Sequence, residues 1–184
     1  MPDSLVIDNI DFGDVDPEQM TPAMRRSNVR WHTLTISVSN PSATTPFYVI
    51  AEPRRIRYDE NQRALIIQFS EHDAPPPSTP GPLGVPLPPK HIVVRPGEQS
   101  WLTYRLSSPI TFLEQTAEGG ERQRLVRIPE DVDRIEFTVA YDTDAPPQEI
   151  DLTTRGGSGG WENWGKTARQ SCVPPRRNGT EASD

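Results

Sequence analysis

The sequence is poor in the features typical of secreted and membrane-spanning proteins. Its 184 residues include a single cysteine, Cys172, which excludes an internal disulfide and is typical of a reducing cytosol. No run approaches the roughly 18 consecutive apolar residues of a transmembrane helix, and no apolar segment follows a basic N-terminus. We therefore expect a cytoplasmic protein without a membrane span.

Hydrophobic residues are scarce, at 33% of the chain against a usual share of about 45–50%. Proline is abundant, with 21 residues, and this density excludes a long coiled coil or a helical bundle because each proline removes a helical hydrogen bond. The net charge is -7 and the pI is about 5.0. Nucleic-acid-binding domains usually carry a basic stripe, so we expect no nucleic-acid partner.

The first twenty residues are acidic and contain no basic side chain. Asp8, Asp11, Asp14 and Asp16 suggest calcium, which binds several carboxylate oxygens. Their spacing does not match the D-x-[DN]-x-[DN]-G pattern of a calcium loop. We therefore predict a solvated acidic segment and no metal site.

Alternating apolar and polar residues dominate the rest of the chain and predict β-strands. Residues 31–39 place His32, Leu34, Ile36 and Val38 on one face, and residues 134–142 alternate in the same way. Two hairpins are expected, one joining 54–58 to 64–69 and one joining 110–115 to 122–128. A helix within 16–26 is limited to a turn or two because Pro22 interrupts it.

These strands predict an all-β, antiparallel sandwich of roughly seven to nine strands over residues 1–154, although periodicity does not separate a sandwich from a barrel. Residues 73–90 contain eight prolines and predict a long irregular loop. Residues 155–184 are mostly small or polar and predict a flexible, disordered tail. Their glycine-rich stretch 156–160 is a flexible linker, either native or engineered.

Two short segments carry a family resemblance. Residues 34–40 (LTISVSN) and 93–98 (VVRPGE) resemble a strand and a turn of bacterial immunoglobulin-like accessory modules. The resemblance covers residues 30–152. It implies an immunoglobulin-like sandwich used for binding or assembly, and it implies no catalytic residues.

The candidates for chemistry are few. His32, His72 and His91 lack partners at metal-ligand spacing, so we expect no metal and no cofactor. We predict that His32 is a half-buried, hydrogen-bonded residue at a strand end, and that His72 and His91 are exposed at the base of the proline-rich loop. Cys172 lies in the predicted tail without a positioned base, which disfavours catalysis.

The sequence favours a non-enzymatic module that binds another protein. Sheet edges have unpaired main-chain groups that accept a partner strand, and a proline-rich loop is partly ordered in advance. The predicted contact residues lie in the loop and in the tail: Pro82, Leu83, Val85, Leu87, Trp161 and Trp164. The two tryptophans either anchor a partner or fold back onto an open edge of the sandwich.

Two alternatives remain open. A small-ligand-binding or catalytic barrel would use a cavity near His32, Tyr48, Tyr104, Tyr141 and Asp142. An inhibitor would insert the 73–90 loop into a cleft of its partner. No nucleophile elbow or phosphate-binding glycine motif is present, so we predict no catalytic residues.

Overall fold

The computed structural model describes residues 4–53, 55–69, 90–146 and 164–175, which form an all-β protein. These ranges contain eleven strands, two more than the upper end of our prediction: β1 (Val6–Asp14), β2 (Arg30–Ser39), β3 (Phe47–Ile50), β4 (Arg55–Asp59), β5 (Ala64–Phe69), β6 (His91–Val94), β7 (Gln99–Ser108), β8 (Ile110–Gln115), β9 (Glu121–Val126), β10 (Arg134–Asp142) and β11 (Lys166–Cys172). The helical content of the described chain is one turn of 3-10 helix (Pro17–Gln19) and the short helix α1 (Pro22–Arg26), as predicted. No helix in these ranges has the length and apolar character needed to cross a membrane.

The strands form three sheets. The first has three strands in the order β1-β2-β7, and both of its pairings are antiparallel. The second has six strands, with β4-β5-β10-β3-β6 in order and β11 added to β10. The third is the β8–β9 hairpin. The proline-rich segment 73–89 lies outside the described residues.

Period-two alternation identified the buried faces correctly. On β2, His32, Leu34, Ile36 and Val38 are all buried, while the alternate Thr33 and Thr35 are only half-buried. On β10, Ile135, Phe137, Val139 and Tyr141 are buried on the inner face as predicted, and Thr138 and Ala140 on the opposite face are buried as well. Successive side chains of a strand point to opposite faces, so the pattern alone is enough to assign the core face.

Both large sheets contribute to one hydrophobic core. Leu34 and Leu102 come from the three-stranded sheet, and Ile67 and Phe137 come from the six-stranded sheet; none is more than 2% exposed. The ring of Phe69 on β5 meets the ring of Tyr104 on β7 edge-on, with centroids 6.5 Å apart. The two sheets therefore face each other across the core.

Both predicted hairpins are confirmed. β4 pairs with β5 around a polar turn, and β8 pairs with β9. Arg124 on β9 ties the second hairpin to the first: its Nη2 lies 2.8 Å from Glu60 Oε2, and its Nε lies 2.6 Å from Glu114 Oε1 on β8. The pair with Glu60 links the two-stranded sheet to the turn that joins β4 to β5, and the pair with Glu114 lies within the β8–β9 hairpin.

The prediction of purely antiparallel pairing is wrong at one place. β5 and β10 run parallel, with Arg134 opposite Ala64 and Val139 opposite Phe69. The chain passes through the other two sheets between these strands, so it can return in the same direction. Alternation in a sequence reports which face of a strand is buried, but it does not report the direction of its neighbour.

The prediction of a disordered tail over 155–184 is wrong for residues 166–172. They form β11, which pairs with β10 antiparallel over seven positions, from Ile135 opposite Cys172 to Tyr141 opposite Lys166. Ala168 and Cys172 pack against the core, while most of the other side chains of β11 are exposed. An edge strand gains main-chain hydrogen bonds whatever its side chains are, so a low apolar content does not exclude one.

Candidate functional site

Most of the residues that we predicted to bind a partner lie outside the described residues: Pro82, Leu83, Val85, Leu87 and Trp161. Trp164 is described and lies just before β11. Its ring is half-buried against the core, and its indole Nε1 donates a hydrogen bond to the backbone oxygen of Asp144 at 3.2 Å. In this position Trp164 folds back onto the sheets, which is one of the two arrangements that we left open.

A charged cluster lies where β1 and β2 meet. Asp14 and His32 are directly opposite each other in the β1–β2 pairing, and Arg30 lies two residues before His32. The Arg30 guanidinium donates two hydrogen bonds to the Asp14 carboxylate, at 3.1 and 2.7 Å. His32 Nδ1 lies 3.0 Å from Asp14 Oδ1, and the imidazole packs on the ring of Phe12 with centroids 5.0 Å apart.

His32 is more buried than predicted, with 2% of its surface exposed. The direction of the Asp14 contact falls outside hydrogen-bond geometry, so both ring nitrogens are buried without a hydrogen-bond partner in the described chain. Burial lowers the pKa of His32, and the attraction of Asp14 only partly opposes it. The hydrogen bonds from Arg30 lower the pKa of Asp14.

The cavity beside this cluster has a volume of about 210 Å³. Besides the three charged or titratable residues, it is lined by Phe12, Gly13, Pro129 and Pro175. None of these side chains carries a hydroxyl or a thiol. Nucleophilic catalysis by a serine or cysteine requires that group beside the base, and the described lining does not supply one.

The other residues that we predicted to line the cavity of a ligand-binding barrel lie on separate strands. Tyr48 on β3 contacts the ring of His91 on β6, with centroids 5.9 Å apart, and Tyr141 on β10 packs on Phe47 at 5.2 Å. Tyr104 packs on Phe69 and is half-buried, and burial raises its pKa. The Asp142 carboxylate accepts hydrogen bonds from its neighbour Thr143. In these contacts the tyrosine rings pack between strands. His72, the other histidine near the proline-rich loop, lies outside the described residues.

The acidic residues of the N-terminal segment accept hydrogen bonds from protein groups. Asp8 accepts hydrogen bonds from Ser39 Oγ at 2.9 Å and Gln99 Nε2 at 3.3 Å, and Asp16 accepts one from the backbone of Glu18. Across the residues that the structure describes, no three side chains of histidine, cysteine, aspartate or glutamate lie close enough to hold a metal ion.

Cys172 faces inward from β11, opposite Ile135. It is half-buried, and burial raises the pKa of its thiol to about 11. At neutral pH the thiol is therefore protonated, whereas a nucleophilic cysteine needs a stabilised thiolate.

The free sheet edges differ in how well they are protected against pairing with another chain. Natural edges are protected by short length, charged residues, proline or bulges. β4 has five residues and includes two arginines and an aspartate, β6 has four residues, and β11 carries Lys166 and Arg169. β1 has three aspartates and a register shift between Ile7 and Asn9.

The edge of β7 lacks most of these protections. It has ten residues, pairs with β2 over its whole length without a register shift, and contains no proline and one charged residue, Arg105. Within the described residues, no strand pairs with its other edge. Trp101 lies on the outer face of this strand and is 60% exposed. β7 therefore combines a long unprotected edge with an exposed aromatic side chain.

Sequence reasoning missed Trp101 as a functional candidate. The signal was present in the alternation: Leu102, Tyr104 and Leu106 face the core, which places Trp101 on the outer face with Thr103 and Arg105. Tryptophan is enriched among the residues that contribute most to protein interfaces, so an exposed tryptophan beside a free edge is a candidate contact residue. The neighbouring hairpin also exposes Leu113 on β8 and Leu125 on β9, at 67% and 54%.

Comparisons of this chain with known protein families, with curated proteins and with solved structures find no match.

Proposed function

We propose that the chain is a non-enzymatic protein-interaction module that accepts an extended strand of another protein at the free edge of β7. The observation that carries this proposal is the contrast between β7 and the other edges. A ten-residue edge with one charged residue has a row of main-chain donors and acceptors open to a partner strand. The partner that we propose is a protein, and the compartment that we propose is the cytoplasm.

The arrangement of the sheets supports a finer assignment of the fold. We propose an immunoglobulin-like sandwich, because the β1-β2-β7 sheet and the β4-β5-β10-β3-β6 sheet share one core. In such a fold the outer faces and edges are available for binding while the core holds them rigid. A rigid edge lowers the entropy cost of association, because the strand is already extended before the partner arrives.

β11 supports the proposal that this architecture takes up added strands. It is a polar seven-residue segment, separated from β10 in sequence, and it joins the sheet through pairing along β10. Affinity in strand addition comes mainly from the main-chain hydrogen bonds, and specificity comes from side chains that alternate along the strand. At β7, Trp101 supplies such a specific contact.

The test is site-specific photo-crosslinking in cells that express the protein. A photo-reactive phenylalanine analogue replaces Trp101 in one variant and Asn61, which is exposed in the turn between β4 and β5, in the control. We expect a covalent adduct with a partner protein, identified by mass spectrometry, from position 101 and not from position 61. The same adduct at both positions would refute the proposal.

A second substitution tests the edge itself. Thr103→Lys places a charge on the exposed face of β7, as natural edge protection does, and Thr44→Lys adds the same charge in an exposed loop. Both side chains are exposed, so each change should alter the free energy of unfolding by less than about 0.5 kcal/mol. We expect Thr103→Lys to abolish the adduct formed at position 101 and Thr44→Lys to leave it. An adduct that survives Thr103→Lys would show that β7 is not the binding edge.

A further inference from the structure

A second surface, on the outer face of the six-stranded sheet, has a different chemistry. Four adjacent strands, β4, β5, β10 and β11, contribute to a depression of about 410 Å³. The pairing places Arg57, Ile66, Glu136 and Ser171 in one row across the strands, and Gln68, Thr138 and Arg169 in the next. Arg134, at the start of β10, completes the charged lining.

The lining of this depression has a net charge of +2. It includes three arginines, Arg57, Arg134 and Arg169, and one carboxylate, Glu136. Arg134 is already neutralised, because its Nη2 lies 2.5 Å from Glu136 Oε1 and donates to Gln62 Oε1 at 2.6 Å. Arg57 and Arg169 make no ion pair or hydrogen bond with the rest of the described chain. Two uncompensated guanidinium groups therefore line the same depression in a protein whose net charge is -7.

Two residues that line the depression also have polar atoms without partners. Gln68 Oε1 and Arg134 Nε are buried and make no hydrogen bond with described residues. Buried polar groups are normally hydrogen-bonded, so a small shift of either side chain toward a ligand or an ordered water would satisfy its hydrogen-bonding capacity. Thr138 and Ser171 add two hydroxyl groups to the lining.

We propose that this depression binds the phosphate group of a small phosphate monoester. A phosphate monoester has a charge of about -1.5 to -2 at pH 7. This charge balances the two free guanidinium groups better than the single negative charge of a carboxylate ligand does. Arginine binds phosphate oxygens through paired, charge-assisted N–H donors. The volume of about 410 Å³ exceeds what a phosphate alone needs, and the apolar side chain of Ile66 lines part of it.

The site depends on the C-terminal segment. Arg169 and Ser171 belong to β11, whereas Arg57 belongs to β4, at the opposite end of this row of four strands. A phosphate held by both arginines bridges β4 and β11, so the ligand stabilises β11 against the sheet. This inference goes beyond the proposed function and is independent of it, because β7 contributes no residue to the depression.

The binding test uses two-dimensional amide NMR with inorganic phosphate and phenyl phosphate as probes, at a fixed ionic strength set with chloride. We expect saturable shifts at the amides of residues 57, 66, 68 and 169. Arg57→Gln and Arg169→Gln should each weaken binding about tenfold or more, as expected for the loss of a charge-assisted contact. Arg105→Gln, on the exposed face of β7, is the matched control and should leave binding unchanged.

The two probes distinguish the sources of the phosphate group. Tighter binding of phenyl phosphate than of inorganic phosphate supports a monoester whose organic part contacts the apolar lining. Equal binding of the two probes would overturn the monoester assignment. Shifts that do not saturate, or that Arg105→Gln weakens as much as Arg57→Gln does, would overturn the site as a whole.

A second measurement tests whether the bound phosphate links β4 to β11. It does not require the Arg169→Gln variant to remain folded. The buried thiol of Cys172 becomes reactive when β11 leaves the sheet, so its alkylation rate reports the docking of β11. With phenyl phosphate at ten times its dissociation constant, alkylation should slow about tenfold if the undocked form does not bind. Arg57→Gln, which leaves the sequence of β11 unchanged, should reduce this protection to about twofold or less at the same phenyl phosphate concentration. Alkylation that phenyl phosphate does not slow would overturn the bridge.

Discussion

Acidification should destabilise the protein through His32. The side chain is 2% exposed, and neither ring nitrogen has a hydrogen-bond partner within the described residues. Burial lowers the pKa of His32, with a further lowering by Arg30 and opposing contributions from Asp14 and Glu130. The unfolded chain therefore binds a proton more readily than the folded chain, and the free energy of unfolding falls as the pH falls below the unfolded value.

The size of the effect follows from the unfolded pKa, which is about 6.5 for histidine. Protonation stabilises the unfolded state by about 0.2 kcal/mol at pH 7 and by about 2 kcal/mol at pH 5. If His32 remains neutral in the folded protein, its contribution to stability thus falls by about 2 kcal/mol between these values. The Asp14 contribution is lost at lower pH, because the hydrogen bonds from Arg30 hold its folded pKa below the ordinary value of an aspartate.

Urea unfolding at pH 5, 6 and 7, at constant ionic strength and followed by circular dichroism, measures this dependence. His32→Phe keeps a ring beside Phe12 but cannot take up a proton, so it should remove the part of the pH dependence that His32 contributes, which is at most about 2 kcal/mol between pH 7 and pH 5. His91→Gln, on β6, is the control variant. A His32→Phe protein with the same pH profile as the parent would refute the reasoning, and so would an NMR titration that gives His32 a folded pKa above 6.5.

Three further predictions concern packing. The thiol of Cys172, with a pKa raised to about 11, should react with iodoacetamide more than about 100-fold slower at pH 7.5 than in urea-unfolded protein; equal rates would contradict its burial. Gly165 has φ +90°, and a Cβ there would lie 3.1 Å from a backbone oxygen, so Gly165→Ala should cost about 1–3 kcal/mol and speed hydrogen exchange in β11. Gly13→Ala meets no atom within 4 Å and is its control, so equal losses for the two variants would rule out strain. Phe137→Ala should cost about 3–5 kcal/mol in urea unfolding, whereas Leu113→Ala, on an exposed face, should cost less than about 0.5 kcal/mol; similar costs would show that Phe137 is not a core residue.

Local features of the sequence predicted the parts of the fold that depend on neighbouring residues. The hairpin from β4 to β5 forms across the polar turn at residues 59–63, and the one from β8 to β9 forms across 116–120. Hairpin pairing joins strands that are adjacent in sequence, so turn residues and alternation are sufficient to predict it. The same alternation placed Leu34 and Ile36 in the core.

Pairings between distant segments were not predictable in this way. β11 has the sequence KTARQSC, which lacks apolar alternation, and its place in the sheet depends on an open edge of β10 more than twenty residues earlier. The charged cluster at Asp14 and Arg30 likewise forms because β1 lies antiparallel to β2. The acidic spacing of the N-terminal segment suggested solvated carboxylates, whereas pairing of the strands brings a guanidinium to Asp14 at 2.7 Å.

The same distinction between local sequence and tertiary structure applies to the candidate sites. The sequence by itself determined an all-β chain, its buried faces and its hairpins, because the direction of each side chain along a strand repeats every two residues. Only the tertiary structure decided that β7 has a free edge and that Arg57 and Arg169 line one depression. Both properties depend on which strands become neighbours, and that choice is made by the packing of the whole core.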